Sequence, residues 1–116
     1  MEVIYKKPGA GKTTELINMC AQDIGYIVCA NEKQVKMIAQ MAKERGCKIP
    51  YPTTFETFLS GKYYAPGVKK FYIDDADRLI NKLARGNEVK AVTMSDCKDW
   101  HFDPMKANAE LGARWR

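Results

Sequence analysis

Long apolar runs are missing from this 116-residue chain. No stretch approaches the roughly 18 to 20 residues needed to span a bilayer, and the residues behind Met1 enter a Gly- and Lys-bearing turn instead of a secretory apolar region. These absences argue against a membrane partner and lead to the expectation of a cytoplasmic location. Cysteine is scarce, with four in all. Cys20, Cys29, Cys47 and Cys97 are scattered without a CxxC pair, so they read as reduced small hydrophobes, not disulfide partners. One histidine, His101, follows Cys97 by four positions, and two ligands do not make a zinc site. There is no internal repeat, no low-complexity segment and no long basic block. The net charge of +5 is spread along the chain, which suits a solvated surface or a polyanionic partner. The length leaves little room for a second domain.

Ordered structure is nevertheless expected, because hydrophobic residues make up 46% of the chain, well above the composition of disordered segments. Glu2-Val-Ile-Tyr5 reads as a first buried strand, and Thr13 to Gln22 as a helix with Leu16, Ile17 and Cys20 inward. Gly25 to Ala30 is a second apolar strand. Asn31 and Gln34 form a capping-box pattern opening a helix that buries Val35, Ile38, Met41 and Ala42 and stops at Gly46. Lys48-Ile-Pro-Tyr-Pro52 must be extended, because proline disfavours a helical conformation in the residue before it. Thr53 with Glu56 reads as a second capping box, for a short helix burying Phe55, Phe58 and Leu59. Lys70 to Asp75 is a strand ending in two carboxylates. A helix with Leu79, Ile80 and Leu83 inward follows, then a strand over Val89–Ser95. Asp103-Pro104 opens a last short helix ending near Gly112. This alternation predicts an α/β fold, a parallel sheet of about four to five strands with helices on both faces. Residues 1–97 are expected to form the core and 98–116 a tail packed on it.

Two segments carry chemistry. Gly9-Ala-Gly-Lys-Thr-Thr14 sits between a strand and a helix. There, backbone N–H groups and the helix dipole favour a phosphate. In this reading Gly9, Ala10 and Gly11 line the phosphates, Lys12 reaches the β and γ phosphates, Thr13 holds Mg2+ and Thr14 donates toward the α phosphate. The full GxxxxGK[ST] pattern is not met, since Lys6 stands where its first glycine belongs. Phe71-Tyr-Ile-Asp-Asp75 matches a Walker B strand, with Asp74 as the Mg2+ carboxylate. Both segments fall at the carboxyl ends of strands, where open parallel sheets bind ligands. Asp75 stands where hydrolysing relatives carry a water-activating glutamate, and N-capping of the next helix is its other reading. For Asp77 the cap is the reading preferred.

Together these residues resemble the first RecA-like domain of superfamily 1 helicases and small relatives that include short phage-type ATP-binding proteins. Gly9–Thr14 looks like helicase motif I and Ile73–Asp77 like motif II. Thr53–Leu59 is similar to the threonine and aromatic segment before motif II, and Val92–Asp96 to motif III. The resemblance implies a RecA-like three-layer sandwich, ATP and Mg2+ as ligands, Lys12 and Asp75 in catalysis, and possible viral origin. It also places the Ser95 strand between the glycine-loop strand and the Asp74 strand, which makes Ser95 or Asp96 a γ-phosphate sensor. No second RecA-like domain and no adenine-binding segment upstream accompany these motifs, so a self-sufficient helicase is not expected.

The expected function is nucleotide binding with weak Mg2+-dependent hydrolysis, on or beside single-stranded nucleic acid, with a protein partner or as an oligomer. A non-catalytic nucleotide-binding regulatory module is the second reading. A small nucleoside or nucleotide kinase is the third, set back by the lack of a lid with clustered arginines. Thr53, Thr54 and Phe55, and the Tyr63-Tyr64 loop with its lysines, would contact nucleic acid, or else form a capped helix and a solvated loop. An arginine finger would come from Arg78, Arg85 or another subunit.

Overall fold

The computed structural model describes residues 1–61, 68–94 and 100–102. In chain order the elements are β1 (Val3–Tyr5), α1 (Lys12–Gln22), β2 (Tyr26–Cys29), α2 (Glu32–Glu44), β3 (Thr53–Thr54), α3 (Phe55–Leu59), β4 (Phe71–Ile73), α4 (Ala76–Leu83) and β5 (Trp100–Phe102). Two compact units result, one of Met1–Lys12 with Ala91–Arg116 and one of Thr13–Lys90.

The larger unit is α/β, built on an open parallel sheet of order β3-β2-β4. Val28 faces Thr53 on one side and Ile73 on the other. As the central strand, β2 is covered on both faces, which explains its unbroken apolar run; Ile27, Val28 and Cys29 are fully buried. Val28, Phe55 and Leu79 form one core cluster, with Ala30, Phe58 and Ile73 packed against it. Leu16, Ile17 and Cys20 of α1 and Val35, Ile38 and Ala42 of α2 are the buried stripes of their helices, as their spacing predicts; Met41 is only half-buried.

Local chemistry sets the helix ends. The Asn31 side chain accepts from the Gln34 N–H at 3.0 Å, while Gln34 Oε1 accepts from the Ala30 N–H at 3.1 Å, one residue short of the standard reciprocal bond. At the other end Gly46 is left-handed (φ +69°). The Cys47 N–H donates to the Ala42 carbonyl and the Gly46 N–H to that of Lys43, which is a Schellman closure.

Gly25 is fixed by space. A Cβ there would lie 2.5 Å from the Lys70 carbonyl oxygen and 2.9 Å from the Tyr72 ring. That carbonyl accepts the Tyr26 N–H at 3.0 Å and so starts the β2–β4 ladder. Beside it the Lys70 ammonium meets Asp23 at 2.5 Å, an exposed pair that raises the lysine's pKa by hydrogen bonding and then by charge; the Tyr72 hydroxyl donates to the Asp23 carbonyl. Gly25→Ala is expected to cost about 1–3 kcal/mol through forced separation of β2 and β4. A lowered urea midpoint at unchanged slope checks this.

Several expectations are corrected. No strand forms over the described part of Val89–Ser95; Val92 and Met94 are 59% and 55% exposed, and β-type residues without a partner do not make a strand. The parallel partner of β1 is instead β5, with Val3 opposite Trp100 and Ile4 opposite His101, inside the segment expected to be a tail. The strands therefore form a three-stranded and a two-stranded ladder. The cap of α3 is Thr54, not Thr53: its hydroxyl accepts the Thr57 N–H at 3.2 Å, and both threonines pair with β2, Thr53 opposite Val28 and Thr54 opposite Cys29. Leu59 and Leu83, expected inside, are 42% and 58% exposed, because five- and eight-residue helices bury only the stripe nearest the sheet. The helix expected after Asp103 lies outside the described residues. No helix among the described residues is long and apolar enough to cross a membrane.

Candidate functional site

The glycine loop has a shape that only its glycines permit. Gly9 and Gly11 are left-handed, at φ +79° and +85°, and a Cβ on either would meet nothing within 4 Å. Backbone conformation, not crowding, demands glycine here. The Ala10 N–H closes a turn on the Lys7 carbonyl at 3.2 Å. Left-handed residues thus flank Ala10, and Gly11 runs directly into the helical Lys12, one residue earlier than expected. Backbones of alternating hand are the kind that can turn successive N–H groups toward an anion.

In the larger unit, α1 carries Thr13 and the end of β4 carries Asp74. The Asp74 N–H donates to the Val28 carbonyl at 2.9 Å and so extends the ladder one residue past Ile73. This fixes the backbone of Asp74, a residue only 7% exposed. The Thr13 hydroxyl donates to it, 3.2 Å from each oxygen. Two motifs 61 residues apart in sequence therefore meet side chain to side chain. The pair offers two hard oxygen donors, and Mg2+ ordinarily takes one or two protein oxygens, keeping waters and substrate phosphates for the rest. Thr13 and Asp74 fit that ion. Among the described residues no group of three or more His, Cys, Asp or Glu side chains is placed to hold a metal ion.

Asp75 stands at the N-cap position of α4, left-handed (φ 56°, ψ 60°), and its side chain makes no capping bond. Its carbonyl accepts the Arg78 and Leu79 N–H groups. Left-handed backbone is unfavourable for most residues and least so for Asn and Asp, which gives a conformational reason for aspartate here. Asp77, read as a cap, instead lies in the first turn of α4, where its charge complements the helix dipole.

Cys29 closes β2 close to this site. Its thiol is pushed up to about 11 from 9.0, first by burial and then by the negative charges of Asp74 and Glu32. The folded protein holds the proton that the unfolded chain releases near 9, so stability should fall as pH rises from about 9 to about 11. Cys29→Ala should flatten that part of the stability profile, measured by urea unfolding at successive pH values. Cys20, whose thiol donates to the Gly25 carbonyl, is also raised by burial.

Phe55 is 2% exposed and therefore a core residue, as the capped-helix alternative expects, while the Thr54 hydroxyl accepts from the Thr57 N–H as the cap. Ser95, Asp96, Cys97, Lys62 and Tyr63-Tyr64 lie outside the described residues. Nothing in the residue pattern marks Asp75's left-handed backbone, since aspartate also suits caps and turns. No protein family matches the chain, and no curated protein or solved structure is detectably similar to it.

Proposed function

We propose that this chain binds a nucleoside triphosphate, with ATP as the reference ligand, together with Mg2+. The observation that carries the reading is the Thr13 hydroxyl on the buried Asp74 carboxylate, in a chain whose Thr13 directly follows a loop of two left-handed glycines and Lys12. In this reading Gly9, Ala10 and Gly11 present N–H groups to the phosphates. Lys12 neutralises the outer phosphates, and Thr14 donates to the inner one. Thr13 and Asp74 hold the cation, which when bound offsets charge between phosphate oxygens and carboxylate. A RecA-like layering is the fold proposed to carry this chemistry.

Hydrolysis is proposed to be weak. Asp75 is one methylene shorter than the glutamate of hydrolysing relatives, and a displacement of about 1 Å in attack geometry costs on the order of a hundredfold in rate. Ser95 or Asp96 as phosphate sensor, an arginine finger from Arg78, Arg85 or another subunit, and action beside nucleic acid or a protein partner remain part of the proposal. Isothermal titration with MgATP is the test. Saturable binding is expected, weakened about tenfold or more by Lys12→Ala through loss of a charge-assisted phosphate contact. Absence of binding, or binding indifferent to Lys12, overturns the reading. Turnover abolished by Asp75→Asn with binding retained would assign Asp75 to hydrolysis and leave the non-catalytic module aside.

A further inference from the structure

A second surface lies at the opposite edge of the three-stranded sheet. Asp74 follows the C-terminal end of β4, whereas Pro52 precedes the N-terminal end of the parallel strand β3. Between the last turns of α2 and the extended residues 47–52 is an open groove of about 490 Å3. Its floor and walls are aliphatic, with Ala39, Ala42, Ile49 and Pro50 among them. Tyr51 lines it with 62% of its surface exposed.

Both walls are preformed. The Schellman closure at Gly46 fixes the end of α2, Pro50 and Pro52 hold Ile49 and Tyr51 extended, and Cys47 Sγ lies 3.7 Å from Asn18 Oδ1 of α1. A ligand entering here would not have to order the chain first, which is the usual cost of binding. The charge around it is one-sided. Lys43 and Lys48 line the groove and Arg45 sits between them in sequence; all three are exposed. The nearest carboxylate in sequence, Glu44, accepts a hydrogen bond from Gln40 at 3.0 Å. Helix-dipole compensation accounts for Lys43. It does not account for Lys48, which lies beyond the cap, and the carbonyls of Met41, Ala42 and Lys43 are already satisfied by backbone N–H groups.

We infer that this groove is a docking site for an acidic peptide segment of a partner protein, with an apolar side chain seated on the floor and carboxylates on Lys43 and Lys48. A nucleic acid suits it less well. The aliphatic floor offers little to read a base edge, its prolines have no N–H, and a single exposed ring gives one stacking position where strand binding uses several.

Random peptides displayed on phage, panned on the full chain with a Lys43→Glu/Lys48→Glu double variant as counter-screen, test the proposal. Enriched peptides should carry aspartate or glutamate around an aromatic or aliphatic residue. They should bind the wild type about tenfold or more tighter than the double variant, as expected for close charge pairs. Tyr51→Ala should weaken them with circular dichroism unchanged. In a Cys97→Ser background, with Cys20 and Cys29 buried, bound peptide should slow modification of Cys47 by a thiol reagent. Nucleotide binding by the double variant should equal that of the wild type, which keeps this test separate from the phosphate site. Enrichment of neutral or basic peptides, equal affinity for both proteins, or displacement of the peptides by oligothymidylate would overturn the inference.

Discussion

Phe55→Ala is expected to lower stability by about 3–5 kcal/mol, the usual cost of emptying a phenylalanine site in a packed core. Phe55 is 2% exposed and shares one cluster with Val28 and Leu79, so its loss removes contacts to the central strand and to α4 together. Against a total near 5–15 kcal/mol for a domain, much of the chain would be unfolded at mild denaturant. Chemical denaturation followed by far-ultraviolet circular dichroism measures this. Any affinity for single-stranded oligonucleotide should then fall only in proportion to the folded fraction. A Phe55→Ala protein of unchanged stability that lost oligonucleotide binding would restore the stacking role and refute the core assignment.

What the sequence made legible follows from the range of the signal. Asn31 with Gln34, and Gly46, act within a turn of their own helix, and each boundary falls where those residues place it. Gly9 and Gly11 are legible for the same reason, since a left-handed backbone leaves its trace in the residue that tolerates it. The central position of β2 shows in the absence of any polar residue from Tyr26 to Cys29. Partner choice leaves no such trace. Val89–Ser95 has better strand composition than Trp100–Phe102, yet the backbone of β1 pairs with the latter, because strand formation depends on what lies alongside. Thr53 and Thr54 are equally able to cap, and both pair with β2; only the start of α3 at Phe55, which puts Thr54 next to its first turn, decides between them. Helical spacing marks the direction of a buried stripe, as for Leu79, but not its width, and Leu83 falls outside it. The groove beside α2 leaves no mark in the sequence for a related reason. Its walls come from a helix end and a proline-rich connector, neither of which carries a ligand motif.

Asp74→Asn should remove most of the Mg2+-dependent part of nucleotide affinity, about 10–100-fold, the range found when groups that support a metal site are altered. Asparagine keeps the shape and an oxygen to accept the Thr13 hydroxyl, so the β2–β4 ladder should survive and the loss should appear only with Mg2+ present. Thr13→Val removes the other oxygen while keeping the volume, and Thr13→Ser should retain function. If both side chains act on one cation, the Asp74→Asn/Thr13→Val double variant should lose much less than the sum of the single losses. Additive losses, or nucleotide affinity that Mg2+ does not change in the wild type, would break the link between the two residues and the ion. The charge state of Asp74 has its own readout away from the nucleotide. Its negative charge is one of the causes holding the Cys29 thiol up to about 11. Asp74→Asn should therefore move the upper end of the alkaline stability loss to lower pH, while the lower end, set by the unfolded thiol near 9, stays in place. Burial, the larger cause, remains, so the window should narrow without closing. A window unchanged in the variant would mean that Asp74 does not carry its charge beside Cys29, and the cation site would then have to be drawn without it.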